Sequence, residues 1–113
     1  MAKTPLALYR QGNATSPRMD NVRPKDVTTY EENGQIWVRA TLEGEKPSGI
    51  PTFATQKPGK NWWKLDSGTD IPPQLRLVND YNDHWVWEPS KTMPIESYQA
   101  ALRLIGTFFS KVS

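Results

Sequence analysis

Between Leu75 and Val112 the chain reads LRLVNDYNDHWVWEPSKTMPIESYQAALRLIGTFFSKV, and its apolar spacing changes once along the way. Leu75-Arg76-Leu77-Val78 and His84-Trp85-Val86-Trp87-Glu88 are runs rich in β-branched and aromatic residues, set around the turn-forming Asn79 to Asp83, and they predict a β-hairpin. Side chains alternate across a strand, so His84, Val86 and Glu88 share one face while Trp85 and Trp87 share the other. From Ile95 the spacing becomes three and four. Ile95, Tyr98, Leu102, Ile105, Phe109 and Val112 form the stripe of an amphipathic helix, with Pro94 near its start, where a missing N–H is harmless. A hairpin running into a helix, in a chain of many short strands, predicts an α+β fold.

Working outward, Leu6-Ala7-Leu8-Tyr9-Arg10 reads as a short strand whose Leu6, Leu8 and Arg10 point to one side. Gln11 to Asp26 is rich in Asn, Ser, Pro and Arg and follows neither period, which makes it a loop; loops of that length carry function or disorder. Val27 to Tyr30 and Ile36 to Leu42 flank Glu32-Asn33-Gly34, and the Asn-Gly pair suits the positive backbone angles of a tight hairpin. Gly49 to Thr55 reads as a further strand, which Pro51 assigns to a sheet edge or a bulge. Gln56 to Asn61 is a loop leading into the strand Trp62-Trp63-Lys64-Leu65. Of the adjacent tryptophans, only one can face a given cleft.

The 113 residues predict a single domain, 1–113, with one modest core and room for one cleft. Only 36% of residues are hydrophobic, but five tryptophans, four tyrosines and three phenylalanines concentrate apolar area into large side chains. Fourteen Lys and Arg against twelve Asp and Glu leave a net charge of +2, too small a surplus to argue for nucleic acid as a partner. Without cysteine there is no disulfide, thiolate nucleophile or zinc thiolate site, and one histidine excludes most imidazole metal sites. The start of the chain lacks the apolar core of a secretory signal and no run reaches transmembrane length. The expected place of action is therefore a cytosol, with any export by a signal-less route and no membrane partner.

Gly-rich phosphate loops of standard spacing, paired metal ligands and a Gly-flanked nucleophilic serine are all missing. What remains is polar groups at strand positions, namely Arg10, Thr52, His84 and Glu88, with Tyr9, Phe53, Trp62, Trp63 and Trp85 near them in sequence. Each also has a plain structural reading. Thr52 is a good strand former, His84 can be a hydrogen-bonded structural imidazole, and strand tryptophans commonly belong to cores.

Several of these pieces occur in one order and resemble a family, the small ADP-ribosyltransferase-like toxins exemplified by a type VI secretion effector and its short fungal and bacterial relatives. The pieces are Leu8-Tyr9-Arg10 and Ser48-Gly49-Ile50-Pro51-Thr52-Phe53, then Gly59-Lys60-Asn61-Trp62-Trp63 and Gly68-Thr69-Asp70-Ile71-Pro72-Pro73 with the strand after it. His84 with the aromatic that follows, Pro89 and Met93-Pro94 complete the set. The resemblance implies an ADP-ribosyltransferase-like fold of two small antiparallel sheets framing an NAD cleft, to which the spacing adds the C-terminal amphipathic helix. It implies NAD as substrate, transfer of ADP-ribose to a macromolecular acceptor or hydrolysis of NAD, and a neutralising immunity protein as partner.

The resemblance also assigns roles. Arg10 matches the family's first-strand arginine, which grips NAD, and a guanidinium donates a rigid fork of N–H groups to phosphate oxygens. Thr52 matches the strand that holds the nicotinamide-side ribose, although this chain has Pro51 where the family carries serine, and Phe53 is the ring for nicotinamide. Because the N-glycosidic bond breaks through an oxocarbenium-like state, a carboxylate near the ribose is expected, and Glu88 is the candidate. Arg10, Thr52 and Glu88 are thus the expected catalytic residues, with Tyr9, Trp62, Trp63 and His84 joining Arg10, Thr52 and Phe53 around NAD and no metal. Two other readings stand beside this one: an aromatic platform for a peptide or single-stranded nucleic acid, and a catalytically inactive NAD-binding relative.

Overall fold

The computed structural model describes residues 2–113, and among them the chain forms nine strands and one helix. In order these are β1 (Leu8–Gln11), β2 (Thr28–Glu32), β3 (Gln35–Arg39), β4 (Ile50–Phe53), β5 (Trp62–Leu65), β6 (Leu75–Tyr81), β7 (His84–Pro89), β8 (Met93–Pro94), α1 (Ile95–Gly106) and β9 (Ser110–Lys111). Two antiparallel sheets result. One has six strands in the order β6-β7-β4-β1-β5-β9, the other three in the order β2-β3-β8. No helix among the described residues is long and apolar enough to cross a membrane.

The hairpins form where period and turn chemistry put them. Asn33 and Gly34 have φ of 53° and 77°, the left-handed pair of a two-residue turn, and β2 then pairs with β3 from Thr28↔Arg39 to Glu32↔Gln35. β6 and β7 pair from Leu75↔Pro89 onward, with an irregularity between Asn79 and Tyr81. That shift extends the pairing through residues whose composition predicts a turn.

The six-stranded sheet buries one face. Leu8, Leu65, Ile50, Leu75 and Trp87 point into a core completed by Tyr98, Leu102 and Ile105 of α1, and Trp87 and Tyr98 are fully buried. Tyr98 Oη donates to the Trp87 carbonyl at 2.5 Å, so the helix is bonded as well as packed to β7. Gly49 allows the chain to run this close. A Cβ there would sit 2.2 Å from the Trp87 carbonyl oxygen, inside backbone that cannot move aside.

Two expectations need correction. The apolar stripe predicts helix through Val112, but α1 ends at Gly106. Glycine and β-branched Thr107 are weak helix formers, and the Thr107 hydroxyl takes the Leu104 carbonyl at 2.6 Å. The chain then turns into β9, where Lys111 pairs with Trp63 while Phe109 still reaches the core. Pro51 predicts an edge or a bulge, yet β4 is interior, between β7 and β1. The reason is local: β1 and β4 pair only at Tyr9↔Phe53, and beyond that pair Pro51 has no β1 neighbour requiring its missing N–H.

Candidate functional site

The fork where β1 and β4 separate holds Arg10. Its side chain is 9% exposed and lies on the same side of β1 as Leu8, as strand alternation dictates. Nε donates to the Pro17 carbonyl at 3.0 Å, Nη1 to that of Pro51 at 2.8 Å and Nη2 to that of Arg18 at 3.1 Å. A guanidinium has five N–H donors, so bonding capacity remains after these three. Among the described residues no carboxylate makes a salt bridge with it. Burial is the main reason that its pKa is pushed down to about 10, and nearby Asp26 acts in the opposite direction.

The long loop after β1 is ordered around this group. Gly12 donates to the Asn61 carbonyl, and a Cβ on it would sit 2.1 Å from the Ser16 carbonyl oxygen. Asn13 Oδ1 accepts the backbone N–H groups of Thr15 and Ser16 at 3.0 and 2.8 Å. Arg18 adopts φ 57°, a left-handed conformation uncommon for a residue with a long side chain, while its carbonyl meets Arg10. Further on, Arg23 grips the buried Asp26 with two guanidinium N–H groups at 3.1 Å each and its backbone N–H at 3.0 Å.

Two pockets meet at Pro51. A pocket of about 450 Å³ is walled by Arg10, Arg18 and Arg23, with Gln11, Asn21, Phe53 and Trp62. The neighbouring one, about 300 Å³, lies beside Asp26, Ser48, Asp80, His84 and Val86, with Lys25 and Lys46. One end of the groove is therefore rich in guanidinium groups, and the other combines carboxylates, an imidazole and two lysines. Among the described residues no cluster of His, Cys, Asp or Glu is arranged to hold a metal.

His84 sits between rings at the junction. Tyr81 stacks on it with centroids 4.8 Å apart and an interplanar angle of 18°, and Phe53 meets it edge-on at 5.4 Å. Nδ1 is 2.6 Å from the Oδ1 of Asp80. Phe53 in turn contacts Trp62 edge-on at 6.3 Å and lies under the Lys57 ammonium.

Of the residues singled out in the sequence, Arg10, Phe53, Trp62 and His84 line this groove, and Tyr9 pairs with Phe53 at the point where the fork begins. Three others lie elsewhere. Thr52 is fully buried on the core side of β4, its hydroxyl donating to the Trp85 carbonyl at 2.9 Å and accepting from Trp87 Nε1 at 3.2 Å. Trp63 is on the opposite face of β5 from Trp62 and walls a different pocket with Met19, Arg103 and Phe109. Glu88 is 1% exposed, with one oxygen accepting from Arg76 Nε at 2.5 Å and the other from Thr41 Oγ1 at 2.7 Å. Arg18, Arg23, Asp26 and Asp80 are groove residues that period and motif did not single out. The basic content of the loop was the available clue to the arginines.

Residues 3–112 match a family model described as Tse2 ADP-ribosyltransferase toxin. No curated protein and no solved structure matches the chain. With nearly its whole length matched, the chain belongs to the Tse2 ADP-ribosyltransferase toxin family.

Proposed function

We propose, from membership of this family, that the chain binds NAD in the groove around Pro51 and uses it to transfer ADP-ribose to a macromolecule, or to hydrolyse it, inside a cytosol. The observation that carries this reading is Arg10, a buried guanidinium bonded to three carbonyls, in no salt bridge among the described residues, and lining a pocket with two more arginines. A buried cation without a counterion is unfavourable unless another negative group joins it. The pyrophosphate of NAD supplies that charge, with Arg10 and Arg18 as donors. Phe53 and Trp62 offer rings for the nicotinamide end.

As the bond to nicotinamide breaks, positive charge grows at the ribose, and a fixed negative group beside it lowers the barrier. Glu88, the carboxylate expected from the resemblance, has both oxygens occupied and faces neither pocket. Asp26 has its oxygens bonded as well, to Arg23, but unlike Glu88 it lines the groove and is the better-placed group for this role. Thr52 contributes by holding β4 to β7 through its two core hydrogen bonds. A toxin acting in a cytosol also calls for a neutralising protein partner in the cell that makes it.

Incubation of the purified chain with NAD and a cell lysate tests the reading. Release of nicotinamide, with ADP-ribose either free or attached to a macromolecule, is the expected result. Intact NAD after exposure to folded chain would contradict it.

A further inference from the structure

The Asp80–His84 pair has the geometry of a base with its orienting carboxylate. Asp80 is the carboxylate partner of Nδ1 at 2.6 Å, and the Asp80 side chain is only 3% exposed. With the carboxylate as acceptor, a neutral imidazole carries its proton on Nδ1 and its lone pair on Nε2. Among the described residues nothing hydrogen-bonds Nε2, and the His84 side chain, 16% exposed, lines the pocket beside Asp26. Tyr81 and Phe53 fix the plane of the ring.

We propose that His84 is the general base for the acceptor, that Asp80 is its positioning residue, and that the acceptor is a hydroxyl. The inference rests on the NAD reading above. In the step, the acceptor oxygen bonds to the ribose C1′ while the bond from C1′ to the nicotinamide nitrogen breaks. The electron pair of that bond leaves with nicotinamide, which becomes neutral, and the hydroxyl proton passes to His84 Nε2 and then to water.

The surroundings select this class of acceptor. A guanidinium is not deprotonated in proteins and a carboxylate has no proton to remove, so an imidazole base is of use to neither. Lys25 and Lys46 line the same pocket, and its carboxylates Asp26 and Asp80 are already bonded to Arg23 and His84, so an incoming ammonium meets cations without a free anion. The charged and titratable groups facing His84 are Asp80 and Tyr81 from β6, Asp26 and Lys25 from the segment before β2, and Lys46 from the segment before β4; the Lys46 ammonium is 5.9 Å from the Tyr81 ring. Water and a macromolecular hydroxyl offer the same chemistry.

The test compares the full-length chain with His84→Gln, Asp80→Asn and Asp80→Glu. NAD affinity, the rate of nicotinamide release across pH, and products in buffer, in buffer with methanol and in lysate are measured. Free ADP-ribose identifies water as acceptor, methyl ADP-ribose shows that an alcohol enters the site, and ADP-ribose on a hydroxyl oxygen of a macromolecule identifies the larger acceptor. His84→Gln is expected to keep NAD affinity within about twofold and to lower turnover about 100-fold, in the range for loss of a general base. It should also remove the acid limb of the pH profile, which a base that acts only when unprotonated imposes on the wild type. Asp80→Asn should lower turnover about tenfold and shift that limb, with partial recovery in Asp80→Glu. Unchanged turnover or an unchanged pH profile in His84→Gln, or ADP-ribose attached to arginine, lysine or a carboxylate, overturns the proposal while NAD cleavage stands. A wild-type chain that does not bind NAD overturns both.

Discussion

Arg10 and Glu88 are two buried charges on neighbouring parts of one sheet, and their surroundings differ in a way that separates binding from structure. Glu88 has a cation on one oxygen and a hydroxyl on the other, and these bonds tie the segment after β3 to the β6–β7 hairpin. Arg10 has carbonyl dipoles for partners, a pocket beside it and a pKa pushed down by burial. A satisfied buried charge is complete without a ligand, whereas a buried charge lacking its counterion gains from one.

The largest effect should come from removing the unmatched charge. Arg10→Gln is expected to lower nicotinamide release from NAD about 100-fold, since two charge-assisted hydrogen bonds of about 1.5 kcal/mol each correspond to that factor. Its melting temperature should change little, because relief of the buried charge offsets the lost carbonyl contacts. A large fall in melting temperature with affinity intact would reverse the contrast with Glu88.

Glu88→Gln is the complementary variant. Half-exposed Arg76 can regain water, so screening limits the loss. A decrease in stability of about 2 kcal/mol is expected, read from the urea midpoint, with NAD affinity unchanged. A loss of turnover without a loss of stability would return Glu88 to the catalytic role implied by the family resemblance.

Thr52→Val should resemble Glu88→Gln more than Arg10→Gln. Trp87 Nε1 would lose its acceptor in the core, at about 1 to 2 kcal/mol of stability, again with NAD affinity retained. The smallest effect belongs to Arg18→Ala. An exposed arginine at the mouth of the pocket should contribute about a threefold change in NAD affinity, and salt should erase it. An effect of Arg18→Ala that persists at high salt would show that this arginine is buried by the ligand.

What the sequence reveals about these two charges follows the range of the interactions involved. Strand alternation puts Arg10 on the side of Leu8, and Asn33-Gly34 and the period-two runs locate the hairpins, because these depend on near neighbours. The single Tyr9↔Phe53 pair that opens the fork depends on strands far apart in sequence, so Pro51 reads as an edge residue when it stands at the mouth of a groove. Glu88 and Thr52 show the same limit: their alternation is regular, but their partners Thr41 and Trp85 lie 47 and 33 positions away, and no local pattern shows that their polar atoms are already bonded. Arg18, Arg23 and Asp26 sit in a segment without period, ordered by bonds to Arg10 and to one another. Asp80 reads as a turn residue because the β6–β7 irregularity that aims it at His84 leaves no trace in composition.

Calorimetric titration of NAD into the purified chain and into Arg10→Lys, at one ionic strength, tests the role of Arg10 most directly. Lysine keeps the charge but loses the planar fork, so saturable binding to the wild type, weakened about tenfold or more in Arg10→Lys, is expected. No binding by the wild type, or equal affinity in the two proteins, would contradict an NAD site at the Arg10 fork.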